Sequence, residues 1–490
     1  MQPLNPPRRR TLRTHAGPLL GLVAAVLVLA GCPSPEPETP EPAAPLAGTE
    51  LRLTIVDDPA MATSAERLRG EWRAQTGGRF SVSEATAEEV LAAASLPGDA
   101  AVVPSALLGP LAQRDQIAPI PPRTPSPDPF TAQPPARPAV FEALRRGETV
   151  WGTTVKGIPF GSPVLVCYYR ADLLEQLDRR PPRTWEEYRA LARLLADANP
   201  NAEPWHGTVE PLGPGWAGLV LLARAAPYAK HRANYSVWFD IRTMEPLIAG
   251  PPFVRALEEL VEAAAFGPRE SLQLGPDEVR RAFWSGRAGM ALSWPTAAAA
   301  DLPPDAAFRA GFAELPGSGE VYNVSRNRWD ARAEDECPRV PLLAVAGRLG
   351  VVSREAAHAG AAQELLAWLS GPEWSTAVSA GSPATTLFRR EHLAAPRAWV
   401  EPPARADAAA QYAAATAAAL ERRQWVAALR IPGREAYLAA LDQAVHAAVR
   451  GETTPQEALN GAAESWRATT DELGVGTQRT AYRRSLGLAD

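Results

Sequence analysis

The sequence predicts an α/β fold, a largely parallel sheet covered by helices on both faces. Two observations carry this. From Glu50 onward, short runs of strand-like alternation exchange with longer runs of helical period. Beyond residue 31, no stretch reaches about 18 uninterrupted apolar residues, so its elements are core-sized and none is a membrane span. The first strand is Glu50 to Val56, which alternates and stops at Asp57-Asp58-Pro59. A helical segment follows from Ala62 to Gln75, with Leu68 and Trp72 on one face and Gly77-Gly78 as its stop. Phe80-Ser81-Val82 is a second strand and Asp99 to Val103 a third, followed by Pro104-Ser105 and a helix from Ala106 to Arg114. Ligands of such sheets lie beyond the carboxyl ends of the strands. Asp57, Asp58 and Ser105 are therefore candidate binding residues, and they would serve equally well as turn and cap residues.

The N-terminus carries a separate signal. Arg8-Arg9-Arg10 and Arg13 precede a short apolar core from Leu19 to Ala30, which has the flanks of an export signal. The core runs into Leu29-Ala30-Gly31-Cys32, which resembles the lipobox of bacterial lipoproteins. That resemblance implies removal of residues 1–31 and lipid attachment at Cys32. Residues 32–48 are proline-rich, with almost nothing apolar enough to fold, and read as a solvated tether. The expected location is extracytoplasmic or periplasmic, with the chain held to a membrane by its lipid.

Composition narrows the partners. A net charge of −5 over 490 residues, with scattered basic side chains, argues against nucleic acid. Nearly all the cations are arginine; Lys156 and Lys230 are the two lysines. The six histidines have no metal-site spacing, and no metal or cofactor is expected. Cys167 and Cys337 could pair in an oxidising compartment or remain two separate thiols. About 440 residues after the tether suffice for two or three domains.

Several motifs then fall in order. Gly157-Ile158-Pro159-Phe160-Gly161-Ser162 runs on to Tyr169-Arg170-Ala171-Asp172-Leu173-Leu174 and Pro181-Pro182-Arg183-Thr184-Trp185-Glu186-Glu187-Tyr188. This resembles the crossover of family 1 extracellular solute-binding proteins, the maltose- and oligosaccharide-binding group, where a G-x-P strand leads to Y-N-x-D-L-L and P-P-x-T-W-E-E. Arg170 stands where the family has asparagine. Thr184 reads as an N-cap and Glu187 as its capping-box partner. Val279 to Pro295 is similar to the family's F-x-x-G-x-A-A-M-x-x-x-x-P-W stretch, in which a helix ends at glycine and a strand returns to the first lobe. The tryptophan and proline are inverted here at Trp294-Pro295. Leu315-Pro316-Gly317, Val340 to Ser353 and Ala361 to Trp374 resemble the family's P-L-P-G block, next crossover strand and E-F-L-x-F-L-x-x-P-E helix. Gly451 to Leu459 resembles its G-x-x-T-P-x-E-A-L signature, with Thr454 as cap, Pro455 at the first helical position and Glu457 closing the box.

The resemblance, spanning residues 50 to 470, implies a type 2 periplasmic-binding architecture: two α/β lobes, a ligand cleft and hinge crossovers. Lobe one would be 49–163 plus 293–343 and lobe two 164–292 plus 350–475, leaving 476–490 as a C-terminal tail. Hinges would lie near 160–166, 290–296 and 344–350. It further implies a monomeric binding protein, not an enzyme. Such a protein captures a small ligand, a sugar or oligosaccharide by class, and delivers it to the permease subunits of an ABC transporter. Sugars offer apolar faces to aromatic rings and hydroxyls to a few placed polar groups. Trp216, Trp294 and Trp329 lie near predicted loops, and Ser162 sits where the family's first crossover faces the cleft. With Asp57, Asp58 and Ser105 these complete the candidate ligand set; core packing is the alternative for each tryptophan. Two other readings stand beside this one. The same fold could act as a ligand sensor or scaffold without transport, for which enlarged loops at 117–138 and 318–338 leave room. An exported carbohydrate-active enzyme would need two carboxylates across a cleft, but the sequence has no nucleophile elbow, zinc-binding helix or phosphate loop.

Overall fold

A computed structural model describes residues 45–121, 139–198, 204–299 and 301–489. The signal segment, Cys32, residues 32–44 of the tether and residues 122–138 of the proline-dense excursion lie outside the described residues. Nine strands build the two main sheets: β1 (Glu50–Val56), β2 (Arg79–Ala85), β3 (Ala100–Pro104), β4 (Ile158–Gly161), β5 (Val166–Arg170), β6 (His206–Val209), β7 (Ala288–Ser293), β8 (Ala310–Glu314) and β9 (Arg348–Val352). Five helices matter below: α1 (Pro59–Arg67), α2 (Ala217–Ala229), α3 (Pro276–Trp284), α4 (Arg434–Val449) and α5 (Val475–Ser485). No helix among the described residues is long and apolar enough to cross a membrane.

Sheet one has the order β2-β1-β3-β9-β4 and sheet two the order β8-β5-β7-β6. β1 buries Leu51 and Leu53 in alternation and then Ile55 and Val56 together, the pattern of a central strand covered on both faces. β2 and β3 flank it in parallel, but β9 is antiparallel to both β3 and β4. In sheet two only β6 and β7 are parallel. The expected largely parallel sheet is thus two mixed sheets. β9 arrives from a crossover that begins in sheet two, so it runs against strands laid down by local strand–helix–strand units.

The same pairings distribute the expected lobe segments differently between the sheets. Segment 293–343 contains β8, which pairs with β5 in sheet two, whereas β9 and the helix Ala359–Leu369 complete and cover sheet one. β7 does not return to the first lobe; it lies between β5 and β6. The helix expected over 62–75 is broken at Leu68 into Pro59–Arg67 and Arg69–Thr76. Both predicted N-caps form, Thr184 and Thr454 each accepting the N–H of a glutamate three residues on; the capping box closes at Thr454, whereas Glu187 accepts the Arg183 N–H in place of that of Thr184. The presumed tail is a docked helix, α5, whose buried Tyr482 hydroxyl meets Ser236 and accepts the Trp238 N–H. Cys167, buried in β5, and Cys337, half-buried, are free thiols, and burial pushes the Cys167 thiol up.

This topology places the candidate residues. Asp57 and Asp58 follow β1, Ser105 follows β3, Ser162 follows β4, and Arg348 opens the antiparallel β9. All five therefore share one edge of sheet one. At one edge of sheet two, Glu210 follows β6, Trp294 follows β7 and Leu165 precedes β5. Residues 162–165 alone connect β4 to β5, so the two edges adjoin.

Candidate ligand-binding site

On the sheet-one edge, Asp58 is buried and fully engaged. One carboxylate oxygen caps α1 by accepting the Met61 N–H at 3.1 Å. The other accepts from Arg348 Nε at 3.1 Å and from the Ser382 hydroxyl. Arg348 also donates to the backbone oxygens of Asp57, at 2.8 Å, and Ala346, at 3.2 Å. Burial pulls this guanidinium below the ordinary arginine value, and Asp58 opposes the shift. Asp57 differs: it is exposed, its backbone is left-handed at φ 51°, and its carboxylate accepts the Ala87 N–H at 3.2 Å.

Ser105 and Ser162 are drawn around a carboxylate that sequence reasoning missed. Glu148 is buried and accepts from the Ser105 hydroxyl at 3.1 Å and from the Ala344 N–H at 2.9 Å. Ser162 Oγ lies beside it, close enough to help lower its pKa but without a well-aligned hydrogen bond. Burial dominates and pushes the Glu148 carboxyl above its ordinary value. Gly347 lets the crossover pass at this point, since a Cβ there would sit 2.6 Å from Ser105 Oγ and 2.7 Å from Ser162.

The sheet-two edge is aromatic. Trp216 immediately precedes α2 and Trp294 immediately follows β7, and their rings meet at 5.0 Å and 46°. Trp294 is buried with its indole N–H unpartnered, while Trp216 is half-buried. Arg280 of α3 fixes this corner by donating to the Trp294 carbonyl at 2.7 Å. Asp442 of α4, also missed in sequence, accepts the N–H groups of Gly215 at 2.5 Å and Gly218 at 2.7 Å, so the start of α2 already holds a carboxylate. Trp329 is placed elsewhere, in a hairpin against Tyr322 and Tyr228. Tyr228 lies near the far end of α2 from Trp216, about 18 Å of helix away, so the fold does not bring Trp329 together with Trp216 and Trp294.

The two edges touch. Thr296, two residues beyond Trp294, donates to the Ser382 carbonyl at 3.4 Å, and Ser382 donates to Asp58. A cavity of about 200 Å³ opens there, walled by Asp277, Arg280, Thr296, Ala298, Leu302 and Pro383. The cations close to the edges are committed: Arg348 to Asp58, Arg280 to Asp277 and Glu401, Arg224 to Glu210. Of the other groups at the edges, the Ser162 hydroxyl and the Trp294 N–H are buried without a hydrogen-bond partner among the described residues, while Asp57 is exposed and Trp216 half-buried.

A buried Ser375–His392 pair invites comparison with a hydrolase, but its polarity is wrong. His392 Nδ1 accepts the Phe388 N–H at 3.3 Å, so Nε2 carries the hydrogen and donates to Ser375 at 2.9 Å. Such a histidine does not activate the serine. Burial, aided by Arg389, lowers its pKa to about 3. The unfolded chain protonates near 6.5 and the folded chain does not, so this group's stability is complete above pH 6.5 and is lost as pH falls toward 3. The loss is roughly 2 kcal/mol by pH 5. His392→Asn should flatten the urea midpoint between pH 6.5 and 4.5, and an unchanged slope would refute the assignment.

Two sheets whose edges adjoin across a short crossover, with polar groups on one edge and a tilted indole pair on the other, have the form of a two-lobed binding protein. The chain belongs to the bacterial extracellular solute-binding protein family, whose profile matches residues 81–376. Its fold is similar to that of the sugar-binding protein MalE from Xanthomonas citri, at 18% identity and TM-score 0.64, covering 88% of this chain and 100% of that one. It also resembles maltose-bound MalE3 of T. maritima, at 17% identity and TM-score 0.59, covering 86% and 99%. A ribitol complex of an ABC-transporter solute-binding protein from Agrobacterium radiobacter K84 is similar at 16% identity and TM-score 0.59, covering 86% and 100%. No curated protein sequence matches the chain.

Proposed function

We propose that this protein captures a neutral polyhydroxylated ligand, a sugar or sugar alcohol, between the two edges and delivers it to a membrane importer. One observation carries the choice of ligand: the cations nearest the edges are neutralised by the chain's own carboxylates, while an indole pair stands beside them. An anionic ligand would find no free positive charge there, whereas a sugar ring presents an apolar face to Trp216 and hydroxyls to Asp57 and Ser162. The ligands named for the three similar structures, maltose, ribitol and sugar, fit this chemistry. In this reading sheet one with residues 348–382 forms one lobe, and sheet two with α4 forms the other. Cys32 would tether the mature, monomeric chain to the membrane by its lipid.

The test is calorimetric titration and thermal shift with maltose, maltotriose, ribitol and mannitol. A bound sugar at 100 times its Kd should add about 2.7 kcal/mol of stability. Trp216→Ala should weaken binding at least tenfold while the unliganded chain still melts cooperatively. Binding of an amino acid or organic acid in place of the polyols would overturn the choice of ligand.

A further inference from the structure

We propose a second small-molecule site, a cavity beside the crossovers that takes a small aromatic carboxylate. The cavity has a volume of about 260 Å³ and shares no residue with the candidate set above. Its size lies just below the usual range of about 300–1,000 Å³ for ligand pockets, which limits it to a small ligand. Lys230, Arg146 and Arg423 line it, together with the rings of Tyr235, Trp238 and Trp425. No Asp or Glu is among the described residues that line it.

Lys230 is the reason to expect an anion. It ends α2 and is half-buried, and its Nζ reaches only two backbone oxygens, those of Asn234 at 3.3 Å and Tyr235 at 3.4 Å. No carboxylate lies within ion-pair distance among the described residues, and burial lowers its pKa with no opposing charge. A half-buried ammonium left in this way gains from a charge-assisted hydrogen bond supplied from outside. Arg423 is exposed and forms no ion pair among the described residues; Glu142 is held by Arg146 at 2.9 Å. A neighbouring cavity of about 550 Å³ that also reaches Arg423 contains Asp335, Glu336 and Glu421, so it lacks this asymmetry.

The rings give the ligand its body. Tyr235 is 53% exposed and its hydroxyl donates to the Leu486 carbonyl at 3.3 Å, which stands the ring at the mouth. Trp425 is half-buried and packs so closely on Gly147 that a Cβ there would lie 2.6 Å from its indole nitrogen. Trp238 is anchored by an N–H donated to the Ala427 carbonyl at 2.8 Å. A planar ring slides between such faces while its carboxylate meets Lys230. The wall at Val426–Ala427 pairs in parallel with Leu342–Leu343, shortly before β9, so this strand lies between the cavity and the chain that links the sheets.

The experiment is calorimetric titration of the whole protein with sodium benzoate, sodium 4-hydroxybenzoate, neutral benzamide and inorganic phosphate. Benzoate or its hydroxy derivative should bind with a millimolar or tighter Kd, and benzamide and phosphate at least tenfold more weakly. Lys230→Met should weaken benzoate at least tenfold, and the exposed Arg423→Gln, which leaves the fold untouched, about threefold. Trp216→Ala should leave benzoate affinity unchanged, which separates this site from the cleft. Absence of binding by both carboxylates, equal binding of benzamide or phosphate, or indifference to both variants would overturn the proposal.

Discussion

Arg348→Met is expected to lower folding stability by about 3–5 kcal/mol, because it strands a buried carboxylate. Asp58 is 2% exposed and its outer oxygen faces Arg348 Nε at 3.1 Å. Methionine fills much of the same space, so the loss would report the unpaired charge and not a cavity. The backbone oxygens of Asp57 and Ala346 lose their donors as well, which loosens the turn after β1. The control is a double-mutant cycle in urea. Asp58→Asn alone should be costly, and Asp58→Asn with Arg348→Met should recover part of the loss, since neither charge is then stranded. A cost below about 1 kcal/mol for Arg348→Met would show that water reaches Asp58 and that this edge is open.

The second large effect is on the facing sheet. Arg224→Ala should cost about 3–5 kcal/mol for the same electrostatic reason, with lost packing added. Arg224 and Glu210 are both nearly inaccessible, at 2% and 4% of their side-chain surface. Arg224 also lies over the Trp185 ring at 4.2 Å and the Tyr188 ring at 5.3 Å. Tyr188 donates to the same glutamate at 3.0 Å, so the carboxylate would retain one partner after the change. Arg224→Met should be milder than alanine because it keeps the packing stem. Glu210 follows β6 at the sheet-two edge, so Arg224→Ala should also weaken the proposed sugar binding. Equal urea midpoints for Arg224→Ala and the parent chain would rule out a structural role for the pair.

Much of this molecule was legible because many of its instructions are local. Thr184 and Thr454 each cap a helix whose glutamate lies three residues on, and proline at the first helical position fixes where the second begins. β1 shows its burial in its own alternation, and its end at Asp57-Asp58 marks the carboxyl edge of a strand. The partial failures have the same origin seen from the other side. Trp294 and Trp329 look alike in sequence, each an indole beside a turn, yet one joins Trp216 and the other packs on Tyr228. Segment 293–343 is expected with the first group of strands, yet its strand β8 pairs in sheet two, because alternation fixes which face of a strand is buried and says nothing of which sheet receives it.

The sequence by itself determined many of the elements and the family. These follow from interactions within a few residues along the chain and from motifs kept in order. Only the tertiary structure decided what those groups are free to do. Asp58 and Arg348 are 290 residues apart, Asp442 and Gly215 227, and Glu148 and Ala344 196. Whether a carboxylate is spent on an internal partner or left for a ligand depends on these long-range meetings. They are set by how the sheets pair and the helices pack, and no local pattern records them.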